Sequence, residues 1–590
     1  MPPETPSDRN RIMPQADESP MSESTPPPAA PNGPTHHVRA APQRNAYDDP
    51  YAKRLFLIID SLPQMQRALA MTLSSFGANS VEYAAKAGDA LAKMAKYEFD
   101  VVLCDYDLGN GYDGLYLFEE VRARNLLKQS CVFMIVTGER RSQRVISAAE
   151  MAPDDYLLKP FTGEVLRERL ERAMRKREAF RLVDENILRH EYLAAIEACG
   201  RKIEENGEFA FDFMRLKGSL ALKIEDYDAA RDAYMQVLRL KPATWAKMGL
   251  AKSLAGLKSL DEARLLFEAV LADNSQVMEA YDWLARLYRN HHDLERAQHT
   301  LQTAAEMSPA VFRRQQQLAE VAMLNHDLAT AEAACQQTLD IAKYTWHRSP
   351  THYAALARIQ LARGDAANAG RTLASLRHDY RYNEEAEWLA NVVDSQLQAK
   401  NGNADKAAAL LADATERFKP LAAKLDQEAQ LEYARACYQQ GREPQGNEVM
   451  EYLVRNHHDD EQLLAHFGDM FEELGMGQAG RQLIAQNVKT VLELNNQAVR
   501  EAQSGELDTA IARFAKALEE MPQNVQIMLN LVNAVLAHVS QNGWHESHMR
   551  RAYELLGKVR DIAPTNNKFQ KILQSWRQLV DKMDKPQWAL

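Results

Sequence analysis

A small residue that returns about every 34 positions constrains this chain more than any other feature in it. The stretch Glu225 to Pro242, EDYDAARDAYMQVLRLKP, recurs more loosely as SLDEARLLFEAVLADNS, DLERAQHTLQTAAEMSP and ELDTAIARFAKALEEMP. The marker residues are Ala195, Ala230, Ala263, Ala297 and Ala331, at steps of 35, 33, 34 and 34, followed by Ala369 and Ala407 at steps of 38. Ala510 and Ala552 mark later copies, and the gap of 103 before Ala510 accommodates further periods marked by Gly446 and Ala479. Each unit reads as a helical hairpin. A small side chain is needed where two helices cross closely, and Tyr234, Phe267 and Phe514 fill the groove beside it. Pro242, Pro309, Pro522 and Pro564 end second helices, because proline cannot continue the hydrogen-bond ladder. One such hairpin cannot bury its own apolar face, so residues 180–590 are expected to stack into an all-α solenoid of about ten units. A last helix, Lys568 to Met583, is expected to cap the stack with Trp576 turned inward.

Residues 53–178 follow a different pattern, in which short apolar runs alternate with helical spacing. The runs are Arg54 to Asp60, Ser80 to Tyr83, Val101 to Cys104, Val132 to Val136 and Asp155 to Leu158. Helices are expected over Met65 to Phe76, which Gly77 ends, then Ala87 to Lys96, Leu115 to Arg124, around Gln143 to Glu150, and from Glu164 onward. Parallel neighbours need helical crossovers, so the alternation implies an α/β doubly wound, five-stranded parallel sheet. In such a sheet the chemistry sits outside the carboxyl ends of the strands. Four polar groups close four of these strands: Asp60, Asp105, Thr137 and Lys159.

Those four suit phosphoryl transfer. A carboxylate such as Asp105 can act as nucleophile and form an acyl phosphate. The transferred oxygens then need positive charge and hydrogen-bond donors, which a lysine and a threonine hydroxyl supply. A magnesium ion held by neighbouring carboxylates would screen the repulsion between two anions. With this constellation, and with 44 residues from Ser61 to Asp105 and 22 from Thr137 to Lys159, residues 53–178 resemble a two-component response-regulator receiver domain, a flavodoxin-like fold. The resemblance implies that Asp105 is the phosphoacceptor and that Thr137 and Lys159 bind the phosphoryl group. It further implies that Thr137 and Tyr156 form the switch, that Pro160 is in the cis form, and that Asp60, Asp105 and the backbone of Asp107 hold Mg2+. One departure is plain. Receivers usually end their first strand with two acids, and here the pair is Asp60-Ser61, which weakens the expected metal site.

The helical units resemble tetratricopeptide repeats. Their terminal prolines fall at Pro242, Pro309, Pro522 and Pro564, and the first-helix glycine falls at Gly218, with Ala251, Ala285 and Ala357 standing in elsewhere. That resemblance implies a concave groove that binds segments of a protein partner, with Arg286, Arg289 and Arg358 on groove-facing positions. The basic run from Glu164 to Arg181 reads as a solvated face of a helix that continues into the array.

Composition excludes several other classes. With 71 basic and 82 acidic residues the net charge is −11, which argues against nucleic acid as a partner. No apolar run approaches the roughly 20 residues of a membrane helix, so no membrane partner is expected and a cytoplasmic location is. Cys104, Cys131, Cys199, Cys335 and Cys437 are odd in number and far apart, giving neither a disulfide ladder nor a CxxC site. Residues 1–50 hold 12 of the 23 prolines and read as a disordered, Pro-rich leader. The pairs His291-His292 and His457-His458 read as solvated turns. Phosphate-loop, HExxH and GxSxG motifs are absent, so the chain is not expected to be a conventional enzyme. The expectation is a response regulator phosphorylated on Asp105 by a histidine kinase, with output through protein binding by the array. Two alternatives share these residues: a constitutive pseudo-receiver scaffold, and a phosphate sink that antagonises another regulator.

Overall fold

Side chains alternate between the two faces of a strand, and that period sorts the core of the first domain into two layers. The computed structural model describes residues 51–108, 114–124, 126–128, 130–138, 154–343, 347–422, 424–585 and 588. The expected leader and the helix expected around Gln143 to Glu150 lie outside the described residues. Within them, β1 (Leu55–Ile59), β2 (Ser80–Ala84), β3 (Val101–Cys104), β4 (Val132–Thr137) and β5 (Asp155–Leu158) form one parallel sheet in the order β2-β1-β3-β4-β5. Leu57, Ile59, Val102, Cys104, Phe133 and Ile135 enter one layer with helices Ala87–Met94 and Gly114–Ala123. Phe56, Ile58, Val101, Leu103, Val132 and Met134 enter the other with helices Pro63–Ser74 and Gly163–Leu188. Both faces are covered, which is why β3 and β4 are apolar and buried along their length. The first helix starts two residues earlier than expected because Pro63 suits a first turn, and Gly77 follows it at φ +92°.

Helix Gly163–Leu188 belongs to both halves of the molecule. Thr162 caps it by accepting from the Val165 N–H at 3.3 Å. Its first half places Leu166, Leu170, Ala173 and Met174 under the sheet, and its second half places Phe180 and Val183 in the first cluster of the array. There Phe180 stacks on Phe213 with centroids 4.0 Å apart. Arg177 pins the middle of the helix by an ion pair to Asp154, beside the start of β5, at 2.7 Å.

Beyond it, helical hairpins run from Tyr192–Glu204 to Asn567–Lys582. The repeat has a backbone signature. A residue of positive φ closes the first helix of each hairpin at His190, Glu225, Lys258, His292, His326, Gly364, Gly402, Gly441, Gly475 and Gly505. In every case the small marker follows five residues later. This corrects one marker: after Gly475 it is Gly480, which is buried, and not its exposed neighbour Ala479. A methyl at Gly480 would collide with the Phe471 ring. The Tyr234 ring packs in the same way against Gly218 and against Gly249, a second close approach that the sequence did not reveal. Helix Gly477–Gln503 runs unbroken for 27 residues and serves two successive hairpins.

The last helix, Asn567–Lys582, buries Trp576 completely as expected. It is more than a cap, because it docks on the first helix of the array. Gln570 accepts from the Tyr192 N–H at 2.9 Å and donates to the His190 carbonyl at 2.7 Å. Arg577 pairs with Glu191 at 2.7 Å. The array therefore closes on its own beginning.

Candidate functional site

The parallel register brings the carboxyl ends of β1, β3, β4 and β5 to one edge, and with them Asp60, Asp105, Thr137 and Lys159. The Lys159 ammonium donates to Asp60 Oδ2 at 3.0 Å and to Asp105 Oδ2 at 3.2 Å. Asp60 is almost fully buried, and Lys159 and Asp105 expose about 15% of their side chains. Asp60 is further fixed by the Leu62 N–H, which donates to Oδ1 at 2.9 Å. Gln66 ties the neighbouring strand ends together by donating to the carbonyls of Asp60 and Ala84 at 2.7 and 3.1 Å. Burial pushes the Asp105 carboxyl above its ordinary value. Lys159 pulls it back, while the Asp60 charge adds to the rise.

Thr137 is buried at the end of β4, and its carbonyl accepts the Lys159 N–H at 2.7 Å, so threonine and lysine share a backbone contact. The Lys159-Pro160 peptide is cis. Tyr156 lies half-buried against the apolar layer that includes Leu57 and Phe133. Asp107 and Ser61 are exposed at the rim. Two residues of the site escaped sequence reasoning. Gly114 lies so close to the Asp105 carbonyl that any side chain would strike it, a constraint hidden among the glycines of that loop. Gln66 carries no signal short of the fold itself.

Comparison with known proteins turns this geometry into a family. The response regulator receiver domain family matches residues 56–171. Over 116 residues the chain is 34% identical to chemotaxis protein CheY-3 of Vibrio cholerae, covering 20% of this chain and 88% of that protein. The chain belongs to the response-regulator receiver family. Chemotaxis protein CheY of Pseudomonas aeruginosa is 33% identical over 116 residues, 20% of this chain and 92% of that one. Behind the receiver, a tetratricopeptide repeat family matches residues 215–277 and 395–456. A tetratricopeptide repeat protein from Parabacteroides merdae aligns with 40% of this chain and 91% of its own at 13% identity and a TM-score of 0.28. A response-regulator receiver and a protein-binding repeat array thus share one chain. No helix among the described residues is long and apolar enough to cross a membrane.

The three groove arginines part ways. Arg289 donates to Asp469 at 2.7 Å and to Glu320 at 3.3 Å, and Arg358 donates to Glu473 at 3.1 Å. These partners lie on other first helices, so acids of the chain itself occupy both arginines. Arg435, on helix Gln427–Gln439, also pairs with Glu473, and His466 faces Glu428 at 3.1 Å. Burial works against the charged imidazole, yet Glu428 and Glu320 hold His466 above its usual value. Arg286 differs. It covers the Trp283 ring at 4.7 Å and makes no ion pair among the described residues, and with Arg313 it borders a cavity of about 400 Å³.

Proposed function

We propose that this response regulator takes a phosphoryl group on Asp105 from a histidine kinase and reports it through protein binding by its repeats. The observation that carries the reading is the Lys159 ammonium held between the carboxylates of Asp60 and Asp105. An Asp105 oxygen attacks phosphorus, the phosphorus–nitrogen bond to the donor imidazole breaks, and the imidazole leaves with the electron pair. Lys159 is placed to follow the phosphoryl oxygens, and the Thr137 hydroxyl, at the end of the adjoining strand, is a donor for another of them. Tyr156 is the aromatic neighbour through which that shift would be felt on the β4–β5 side.

The donor set fits a hard divalent cation. Two carboxylates converge closely enough to share one ammonium, and both offer the charged oxygens such an ion prefers. Asp60, Asp105 and the backbone carbonyl of Asp107 would hold Mg2+, which supplies charge neutralisation between the acceptor and the incoming phosphate. Ser61 leaves that set one carboxylate short. The phosphotransfer serves the chain's own modification, so no other enzyme activity is assigned. On the array, Arg286 and Arg313, which make no ion pair among the described residues, suit an acidic protein segment.

Acetyl phosphate with magnesium tests the assignment. Intact mass should show one added phosphoryl group on the wild type and none on Asp105→Asn. Equal labelling of the two proteins would remove Asp105 as acceptor. No labelling of either would favour the constitutive scaffold that Ser61 allows.

A further inference from the structure

The hairpin turn near the end of the array breaks the pattern of all the others. After Gly543, at φ +88°, the small marker Ala552 comes nine residues later instead of five. The displaced turn carries His545 and His548, and it faces His538 on helix Val525–Asn542 and Asp508 in the first turn of helix Leu507–Glu520. We propose that Asp508, His538 and His548 form a zinc site that fastens this hairpin to the one before it.

The geometry is that of ligands around a small cation. One donor atom from each of the three residues lies within 4.8 Å of the other two. His538 Nε2 stands 3.3 Å from Asp508 Oδ1. A tetrahedral zinc ion with bonds of about 2.0–2.1 Å places its ligand atoms roughly 3.3 Å apart, so one edge of the tetrahedron is already at length. The His538 and His548 rings are nearly perpendicular, at 76°, with centroids 5.1 Å apart. Asp508 exposes 80% of its side chain and is free to adjust.

A second observation points to a ligand. His538 is 7% exposed, and its Nδ1 is buried without a hydrogen-bond partner, as is Nδ1 of His548. Buried polar atoms are ordinarily satisfied, and these adjoining imidazoles each keep a ring nitrogen that no protein group engages, His538 turning its other nitrogen, Nε2, toward Asp508. Two imidazoles with one carboxylate select a borderline ion such as zinc over magnesium or calcium, which want oxygen alone. His545 stacks 4.0 Å from His548 but commits Nδ1 to capping its own helix, accepting from the His548 N–H at 3.4 Å. The fourth position falls to solvent.

Full-length protein is titrated with zinc by calorimetry, with magnesium in excess to fill the all-oxygen receiver site. Wild type and Asp105→Asn should each bind one equivalent and melt at a higher temperature with zinc than without. His548→Ala, whose side chain is only partly buried, should lose about tenfold or more in affinity and the whole thermal shift, while its circular dichroism matches wild type. Cobalt in place of zinc should give the visible bands of a tetrahedral nitrogen–oxygen site in wild type and in Asp105→Asn but not in His548→Ala. Absence of zinc binding by wild type, or binding retained by His548→Ala, overturns the proposal.

Discussion

Around Lys159 three charges settle one another: the buried Asp60 carboxylate, the partly exposed Asp105 carboxylate and a single ammonium, which leaves the trio one charge negative. Burial raises the Asp105 carboxyl and the Asp60 charge raises it further, so the site gains from any additional cation at its mouth. Ser61 stands exposed at that mouth, directly after Asp60, where a carboxylate would add to the charge on the metal. Ser61→Asp should tighten Mg2+ binding by about tenfold, the roughly 1.4 kcal/mol expected of one well-placed charged ligand. Calorimetric titration of both proteins with Mg2+ checks this, and an unchanged affinity would mean that position 61 does not reach the metal. Much of this site was legible in the sequence. Asp60, Asp105, Thr137 and Lys159 each end a strand, and parallel strands bring such ends to one edge whatever the loops do. Gly114 and Gln66 were not legible, because their roles depend on atoms that become neighbours only after folding. The partners of Arg289 and Arg358 were hidden for the same reason, 180 and 115 residues away in the chain.

Helix Gly163–Leu188 joins the two halves without a flexible linker, so its middle turn is where strain in one is felt by the other. Arg177 reaches Asp154 at 2.7 Å and Asp184 at 3.8 Å. Burial pushes the Asp184 carboxyl up to about 6; Arg177 lowers it and Asp154 raises it. The native state therefore binds more protons than the unfolded chain between about pH 4 and 6, and stability falls as pH rises through that window. Above pH 6 the cost of the buried charge is present in full. Asp184→Asn should stabilise the junction by about 1–2 kcal/mol at pH 7.5, after allowance for solvent screening, and by almost nothing near pH 4. Hydrogen exchange along residues 177–190, compared between the two proteins at each pH, reads the effect. Equal protection at pH 7.5 would show that Asp184 is not strained. The continuity of this helix was foreseeable, since no glycine or proline interrupts Glu164 to Arg181. Beyond Gly480 the 27-residue helix Gly477–Gln503 is likewise free of glycine and proline, which hid a boundary between hairpins, and the marker in its first turn was misplaced by one residue.

Closure of the array is a property of the whole molecule, and no period in the sequence announces it. Repeats fix the rotation from one hairpin to the next, and small rotations summed over the array decide whether its ends meet. Here they meet through Gln570, which is 2% exposed and satisfies three backbone groups: the Tyr192 N–H and the carbonyls of His190 and Pro564. Glu191 and Arg577 add an ion pair at the edge of the same contact. Gln570→Leu keeps the side chain's approximate size but strands the Tyr192 N–H and the His190 carbonyl, at a cost of about 1–3 kcal/mol for each group left buried and unpaired. A penalty of that size would act on the contact between the ends before it acts on the hairpins, which are held by their own neighbours. The variant should keep its helical content while the ends separate. Small-angle scattering should then report a larger radius of gyration, and hydrogen exchange should quicken in Tyr192–Glu204 and Asn567–Lys582 but not in the central hairpins. If the radius and the exchange of both end helices match wild type, the two ends are held by packing alone, and the polar clasp at Gln570 is incidental to the closed shape.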